Sequence, residues 1–286
     1  MTGPGPLGII AGGGVLPAEV ARAVAAGGRK VVIAAIRGEA DPALDALGAH
    51  WLEWGQIGRL FDLLAREGCK DIVLVGGVSR RPDFRAIIGD LGTMRRLPRI
   101  LPVLAGGDDG LLRKVIRLFE MEGVTVRGAH EVAPSLLAGD GALGRGRPDE
   151  ADLADAAIGA ALLAALGPFD VGQAAVVVAG RVVAIEAAEG TDALIERAGA
   201  LKAAGRVARG GRGVLVKRMK PGQDLRVDLP AIGPETVTRA ANAGLAGIAV
   251  EAGRVLVAGR AETVRRADAA GLFLIGRAFD DGKDAA

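Results

Sequence analysis

The chain has 286 residues, half of them apolar, and a formal net charge of +2. This length exceeds what one hydrophobic core usually needs, so two domains are expected. The near balance of charge argues against a DNA or RNA partner. A single Cys69 excludes an intramolecular disulfide. Neither a signal-like N-terminus nor an apolar run of about 18 residues is present, which predicts a cytoplasmic protein with peripheral lipid contact left open.

Histidine and cysteine are scarce, since His50, His130 and Cys69 are the whole supply. They cannot build a zinc site or several acid–base pairs. Any chemistry must therefore fall to carboxylates, lysines and arginines. If a metal takes part, its ligands are hard oxygens, which predicts Mg²⁺, or Mn²⁺, the ions that most often serve phosphate substrates.

The N-terminal part predicts a β–α–β unit. Residues 7–10 form a short apolar run, followed by a glycine loop at residues 11–14 and a helix expected over residues 18–26. A second apolar run at residues 30–36 completes the crossover. Residues 71–75 predict a third buried strand that also ends in a glycine loop. Further helical periodicity covers residues 57–67, 93–104 and 109–122.

The two glycine loops predict one ligand site, because adjacent parallel strands of a doubly wound sheet open into the same crevice at their carboxyl ends. Backbone N–H groups there would hold a phosphate or a uracil-like ring. The predicted substrate contacts are Gly12, Gly13, Gly14, Gly77, Ser79 and Arg80. Pro17 stands where the dinucleotide fingerprint needs its third glycine. A tight turn without any ligand explains the first loop equally well.

A change of composition marks the boundary between domains. Residues 137–148 are rich in Gly, Asp and Arg. We therefore expect an α/β protein with a Rossmann-like, mostly parallel sheet domain at residues 1–135, a linker at 136–150 and a C-terminal catalytic, mixed α/β domain at 151–286.

The second domain predicts helices and two hairpins. The expected helices cover residues 152–166, 193–204, 234–243 and 261–270. Paired strands are expected at residues 174–178 and 181–185. A second hairpin is expected at residues 247–250 and 254–257, with Gly253 in its turn.

Residues 186–192 place several acidic side chains at the start of a predicted helix. Thr191 or Asp192 is the expected N-cap, because either side chain can accept a hydrogen bond from the first turn. Glu186 and Glu189 then remain as candidate metal or substrate contacts.

Residues 217–235 crowd lysine, arginine and aspartate between prolines and glycines, which predicts an active-site loop held by rigid elements at both ends. Asp228 lies between Val227 and Leu229, which favours partial burial and a need for partners. A solvated connection is the alternative. With oxygen ligands and no His or Cys chemistry, this loop indicates phosphate-ester or pyrophosphate chemistry on a nucleotide-like substrate.

Several motifs together resemble the LpxI-type UDP-2,3-diacylglucosamine pyrophosphatases of lipid A biosynthesis in Gram-negative bacteria, over nearly the whole chain. They are Ile10-Ala-Gly-Gly-Gly14, Gly76-Gly-Val-Ser79, Gly107-Asp-Asp-Gly-Leu-Leu112, Gly128-Ala-His-Glu-Val-Ala-Pro134, Ala184-Ile-Glu-Ala-Ala-Glu-Gly-Thr-Asp192, residues 216–228 and Leu229-Pro-Ala-Ile-Gly-Pro234.

This resemblance implies hydrolysis of UDP-2,3-diacylglucosamine to UMP and 2,3-diacylglucosamine 1-phosphate (lipid X), with a divalent cation. It further implies water attack on the sugar-side β-phosphorus, a lipid held between two domains and an essential aspartate, here Asp228. Such a substrate implies contact with the cytoplasmic face of the inner membrane, and a homo-oligomer is left open.

From the loop and the resemblance together we predict three sets of site residues. The catalytic set is Asp228, Lys217 and Arg226. The further substrate contacts are Thr191, Asp192, Lys220, Gln223 and Asp224. The metal ligands are Asp228, Asp192 and Glu189.

Two other functions rank below the hydrolase. A non-catalytic nucleotide-sugar sensor would use the same basic loop only to clamp phosphate. A nicotinamide-dependent oxidoreductase is disfavoured by Pro17 and by Arg37, which follows the second strand where an acid would bind the ribose.

Overall fold

A computed structural model describes residues 4–78, 92–95, 98, 111–207 and 211–279. The chain divides into two compact units. The first comprises Met1–Ser135 together with Asp224–Val227, and the second comprises Leu136–Gln223 and Asp228–Ala286. Ser79, Arg80 and most of the helix predicted at residues 93–104 lie outside the described residues.

The first unit is built on a parallel sheet, as its apolar runs predict. Its strands are β1 (Leu7–Ala11), β2 (Val31–Ile36), β3 (His50–Leu52), β4 (Asp71–Val75) and β5 (Thr125–Arg127). Their order across the sheet is β3-β2-β1-β4-β5, and every pairing is parallel. The order reverses between β1 and β4, the switch point at which doubly wound sheets bind ligands.

Helices connect and cover this sheet. They are α1 (Leu16–Ala26), α2 (Ile57–Arg66), α3 (Leu111–Met121) and the short α4 (Ala129–Val132). Pro17 lies in the first turn of α1, where its missing N–H is no loss. The rings of Phe61 and Phe119 join α2 and α3, with centroids 5.3 Å apart. The predicted β–α–β unit is present, with shifts of one or two residues at its ends.

The second unit is built on a mixed sheet. Its strands are β6 (Gly141–Ala142), β7 (Ala174–Val178), β8 (Arg181–Ile185), β9 (Val214–Lys217), β11 (Gly247–Glu251) and β13 (Phe273–Arg277). The order is β6-β13-β11-β9-β7-β8, with β9, β11 and β13 parallel. The expected hairpin of β7 and β8 is present. Residues 136–150 were expected to be a linker, but they contain β6. This strand pairs with β13 and therefore belongs to the second unit.

The second predicted hairpin is wrong. Residues 247–251 form β11, which lies between β9 and β13 and is parallel to both. Leu256–Val257 forms β12, which pairs in parallel with β10 (Ala231–Ile232) in a separate two-stranded sheet. An apolar run buried on both faces suits a central parallel strand better than a hairpin arm.

The mixed sheet is covered differently on its two faces. Alternate strand residues such as Leu215 and Ile248 pack with α6 (Gly190–Ala203), α7 (Pro234–Asn242) and α8 (Arg260–Ala269). The opposite face, with Val214 and Val216, packs with α5 (Glu150–Leu166). Gly159 permits this close approach, because a Cβ there would stand 2.6 Å from the Val216 side chain. Among the described residues, α5 is therefore the helix that covers the second face.

Candidate active site

The two glycine loops of the first unit are hydrogen-bonded to each other. The N–H of Gly12 donates to Val75 O at 2.9 Å, and that of Gly13 donates to Gly77 O at 2.7 Å. The N–H of Gly77 donates back to Gly13 O at 3.0 Å. These N–H groups therefore already have partners within the protein, and contacts of these glycines with a substrate phosphate stay a prediction.

Close approach of backbones explains these glycines. A Cβ on Gly12 would stand 2.5 Å from Gly77 O, and one on Gly76 would stand 2.7 Å from Gly13 O. Gly14, which is exposed and has a φ of +86°, turns the chain into α1. The N-cap residue of α1, Val15, makes no side-chain cap hydrogen bond. The N-terminus of this helix follows β1, at the switch point of the sheet.

Asp228 lies in a polar group of the second unit. Gln223 Nε2 donates a hydrogen bond to Asp228 Oδ2, and Lys220 Nζ forms an ion pair with Asp170. Burial raises the pKa of the Asp228 carboxyl, an effect that Lys220 and the Gln223 hydrogen bond oppose and Asp170 reinforces. The structure thus brings together Asp228, Lys220 and Gln223 from the predicted set.

Asp170 was missed by the sequence prediction. It follows the 3₁₀ turn Gly167–Phe169 and has a φ of +51°, a left-handed conformation that aspartate tolerates better than most residues. The turn packs against the loop, because a Cβ on Gly167 would stand 2.6 Å from Pro221 Cδ. The signal that the sequence offered for Asp170 was its position as the single acidic residue that ends the uncharged stretch of residues 156–169.

Lys217 belongs to a different, buried network. It is 8% exposed, and its Nζ donates to Thr191 Oγ1 at 2.7 Å. The Thr191 hydroxyl donates to Glu186 Oε1 at 2.6 Å, and Glu186 Oε2 accepts from the Gln173 N–H at 2.9 Å. Burial lowers the pKa of the Lys217 ammonium, opposed by Glu186 and Asp192. The network ties the end of β9 to the first turn of α6.

The predicted N-cap of α6 is wrong. The helix begins at Gly190, and the N-cap position is held by Glu189, which makes no side-chain cap bond. Thr191 and Asp192 therefore lie inside the first turn. The Thr191 hydroxyl is used in the Lys217 network instead.

Arg226 and Asp224 form a pair within the first unit. The Arg226 guanidinium contacts both carboxylate oxygens of Asp224, at 2.9 and 2.7 Å, and Glu120 at 3.0 Å. The hydrogen bond from Arg226 holds the pKa of Asp224 below its usual range, and Asp224 raises the pKa of Arg226. In this arrangement Arg226, which was predicted to be catalytic, contacts two carboxylates of its own unit.

The three predicted metal ligands do not form a group. Glu189 pairs with Arg197 at 3.0 Å, and Asp192 pairs with Arg239 at 3.2 Å. No three His, Cys, Asp or Glu side chains within the described part of the chain are placed to hold a metal ion. Of the three predicted ligands, Asp228 is the one that lies in the polar group with Lys220 and Gln223.

A buried arginine that sequence analysis also missed anchors the start of the loop. Arg218 is 2% exposed and donates to Ala160 O at 3.1 Å. It lies 3.7 Å from Glu251, which also accepts a hydrogen bond from the Met219 N–H at 3.0 Å. The loop thus leaves β9 in a fixed direction.

Comparison with known proteins identifies similarity over both units. A family model described as LpxI N-terminal domain matches residues 6–136, and one described as LpxI C-terminal domain matches residues 139–275. A relative from Caulobacter vibrioides, named UDP-2,3-diacylglucosamine pyrophosphatase LpxI, is 44% identical over 272 residues. The alignment covers 94% of this chain and 96% of the relative.

The contacts around the glycines predict different stabilities for two matched variants, Gly12→Ala and Gly77→Ala. Gly12→Ala should lower the free energy of unfolding by about 1–3 kcal/mol, because the new methyl overlaps backbone that cannot move aside. At Gly77 a Cβ would meet no described atom within 4 Å, so Gly77→Ala should stay within about 0.5 kcal/mol of wild type. Urea unfolding measures both. Equal losses in the two variants would contradict the close-approach explanation.

The buried network predicts the effect of Lys217→Met. Removing the ammonium leaves the Glu186 carboxylate buried without its cation, which should cost about 3 kcal/mol of unfolding free energy. Adding Glu186→Gln should recover part of the loss, because a neutral amide replaces the uncompensated charge. Urea unfolding of the single and double variants tests this. A Lys217→Met protein as stable as wild type would show that the network does not hold β9 to α6.

Proposed function

Because the chain belongs to the LpxI family, as its motifs indicate, we propose that it hydrolyses the pyrophosphate bond of UDP-2,3-diacylglucosamine. The similarity to the Caulobacter relative, which bears that activity in its name and aligns over 94% of the chain, carries this proposal. The proposed products are UMP and 2,3-diacylglucosamine 1-phosphate (lipid X). The proposed place of reaction is the cytoplasmic face of the inner membrane.

Asp228 is the proposed centre of the reaction. Water attacks the β-phosphorus, the bond from that phosphorus to the bridging oxygen breaks, and UMP leaves with the bridging oxygen. Asp228 orients the water and takes up its proton. A carboxyl with a raised pKa is a stronger base than an ordinary aspartate, and burial provides that rise here.

The neighbours of Asp228 take supporting roles. Gln223 donates a hydrogen bond to the carboxylate and so fixes its direction. Lys220, 15% exposed at its side chain, brings positive charge close to the carboxylate and to the phosphoryl oxygens. Asp170 holds the Lys220 ammonium in place.

A divalent cation remains part of the proposal. The three-carboxylate set does not fit, but Mg²⁺ usually binds one or two carboxylates together with substrate phosphates and water. Asp228 fits that mode, because its described hydrogen-bond partner is the neutral amide of Gln223. When bound, Mg²⁺ would neutralise charge on the phosphoryl oxygens.

The other predicted site residues have weaker support. A role for the N-terminus of α1, at the switch point beside Gly14, in holding a nucleotide stays a prediction. The catalytic roles of Lys217 and Arg226 and the substrate contacts of Thr191 and Asp224 stay predictions, since each of these residues has protein partners in the structure.

A turnover assay tests the function. Wild-type protein with UDP-2,3-diacylglucosamine and Mg²⁺ should release UMP, and EDTA should suppress the release. Asp228→Asn should lower turnover about 100-fold or more while substrate binding is kept, because general-base assistance is typically worth that much. Asp140→Asn, an exposed control in the same unit, should match wild type.

Hydrolysis in water labelled with oxygen-18 tests which phosphorus the water attacks. The label should appear in the sugar phosphate and be absent from UMP. Label in UMP would place the attack on the α-phosphorus instead. Binding without UMP release under any condition would favour the nucleotide-sugar sensor over the hydrolase.

A further inference from the structure

The helix α5 is apolar on both of its sides. Its inner residues, such as Ala156 and Leu163, are buried against the mixed sheet. Its outer, exposed residues are Ala154, Ala157, Ile158, Ala161 and Ala165. No charged residue occurs between Asp155 and Asp170. Helices that are apolar all round are usually buried, so this outer side calls for an apolar partner.

Length and composition alone would allow the segment to cross a membrane. In the described part of the chain, Glu150–Phe169 is the one helical segment that passes this test, and a third of its most apolar window is buried. The contacts of α5 with β7, β8 and β9 show that one side belongs to the core of the unit. A position along a bilayer surface therefore suits the helix better than a position across it.

The 3₁₀ turn that follows α5 ends in the most exposed large apolar side chain of the described residues. Phe169 is 74% exposed, and Val171, two positions further, is 36% exposed. Ile158 on the outer side of the helix is 37% exposed. Exposed apolar side chains that are close to one another, as Phe169 and Val171 are in the chain, mark an interaction site more often than scattered single residues do.

This surface adjoins the polar group of Asp228. Phe169 directly precedes Asp170, whose carboxylate pairs with Lys220. Both of these charges act on the Asp228 carboxyl. Apolar side chains therefore lie next to charged residues here. A lipid with a charged headgroup likewise has apolar chains next to a charged group.

We propose that Phe169, Val171 and the outer side of α5 form a docking surface for a lipid bilayer. The inference rests on the proposed function, because the diacyl substrate resides in a membrane. Moving a diacyl lipid out of a membrane exposes its methylene groups to water, which opposes the transfer. A bilayer docked beside Asp228 would shorten the distance that the lipid must move through water. A second copy of the chain on this surface would instead cover the approach to Asp228.

Vesicle binding tests the surface. Full-length protein is sedimented with vesicles of phosphatidylethanolamine and phosphatidylglycerol. Phe169→Asp should weaken binding at least about tenfold, because a charge replaces the inserted ring. Phe169→Trp should keep binding, since tryptophan suits the membrane interface. Met121→Asp, at a 60% exposed apolar position in the first unit, is the matched control and should bind as wild type does.

Turnover separates docking from chemistry. Ile158→Asp, on the outer side of α5 and eleven positions from Phe169, should lose turnover of substrate embedded in vesicles and keep turnover of substrate dispersed in detergent. Failure of wild type to bind vesicles, or equal binding by wild type and Phe169→Asp, would overturn the inference. So would a dimer that Phe169→Asp dissociates, measured by sedimentation. Failure to turn over dispersed substrate would contradict the proposed function, and vesicle binding would still decide the docking surface.

Discussion

Removal of water from the Asp228 carboxylate is the constraint on which the candidate site depends. Charge in a partly buried place is costly unless neighbours offset the loss of hydration. Here the amide of Gln223 and the ammonium of Lys220 offset it in part, while Asp170 adds repulsion, and burial prevails. The carboxylate is therefore held in a less favourable state than in water, as residues that carry out chemistry often are. Such an arrangement persists only if the surrounding backbone cannot relax.

The second unit supplies that rigidity on both sides of the loop. Arg218, buried against α5 and Glu251, fixes the exit from β9, and the Lys217 network fixes β9 to α6. The turn before Asp170 packs on Pro221 and takes a left-handed residue to place its carboxylate. The charged groups seen in the sequence thus fall into two classes. Some hold the loop, and a smaller set surrounds Asp228.

Local pattern predicted much of the fold and less of the site. Apolar runs, glycine loops and helical periodicity predicted the parallel sheet of the first unit and the helices of the second within a few residues. The hairpin at residues 247–257 was wrong because the partners of β11 are β9 and β13, which are set by packing rather than by the nearby Gly253. Motif resemblance singled out Asp228 as a candidate, whereas Asp170 joins the candidate site only through a contact with Lys220, 50 positions away in the chain. The hydrogen bonds between the glycine loops were equally invisible, because a glycine needed for close approach and one needed for a ligand look alike in sequence.

The stability of Asp228→Asn as a function of pH tests the central claim most directly. Because the folded-state pKa of Asp228 lies above its unfolded value of about 3.9, ionisation costs stability at neutral pH and not below the unfolded pKa. Asp228→Asn should therefore unfold with a larger free energy than wild type near pH 7, because the amide has no charge to lose hydration. This advantage should vanish as the pH falls through the folded pKa towards the unfolded one. A wild type that is more stable than the variant at neutral pH, or a difference that does not change with pH, would contradict the account.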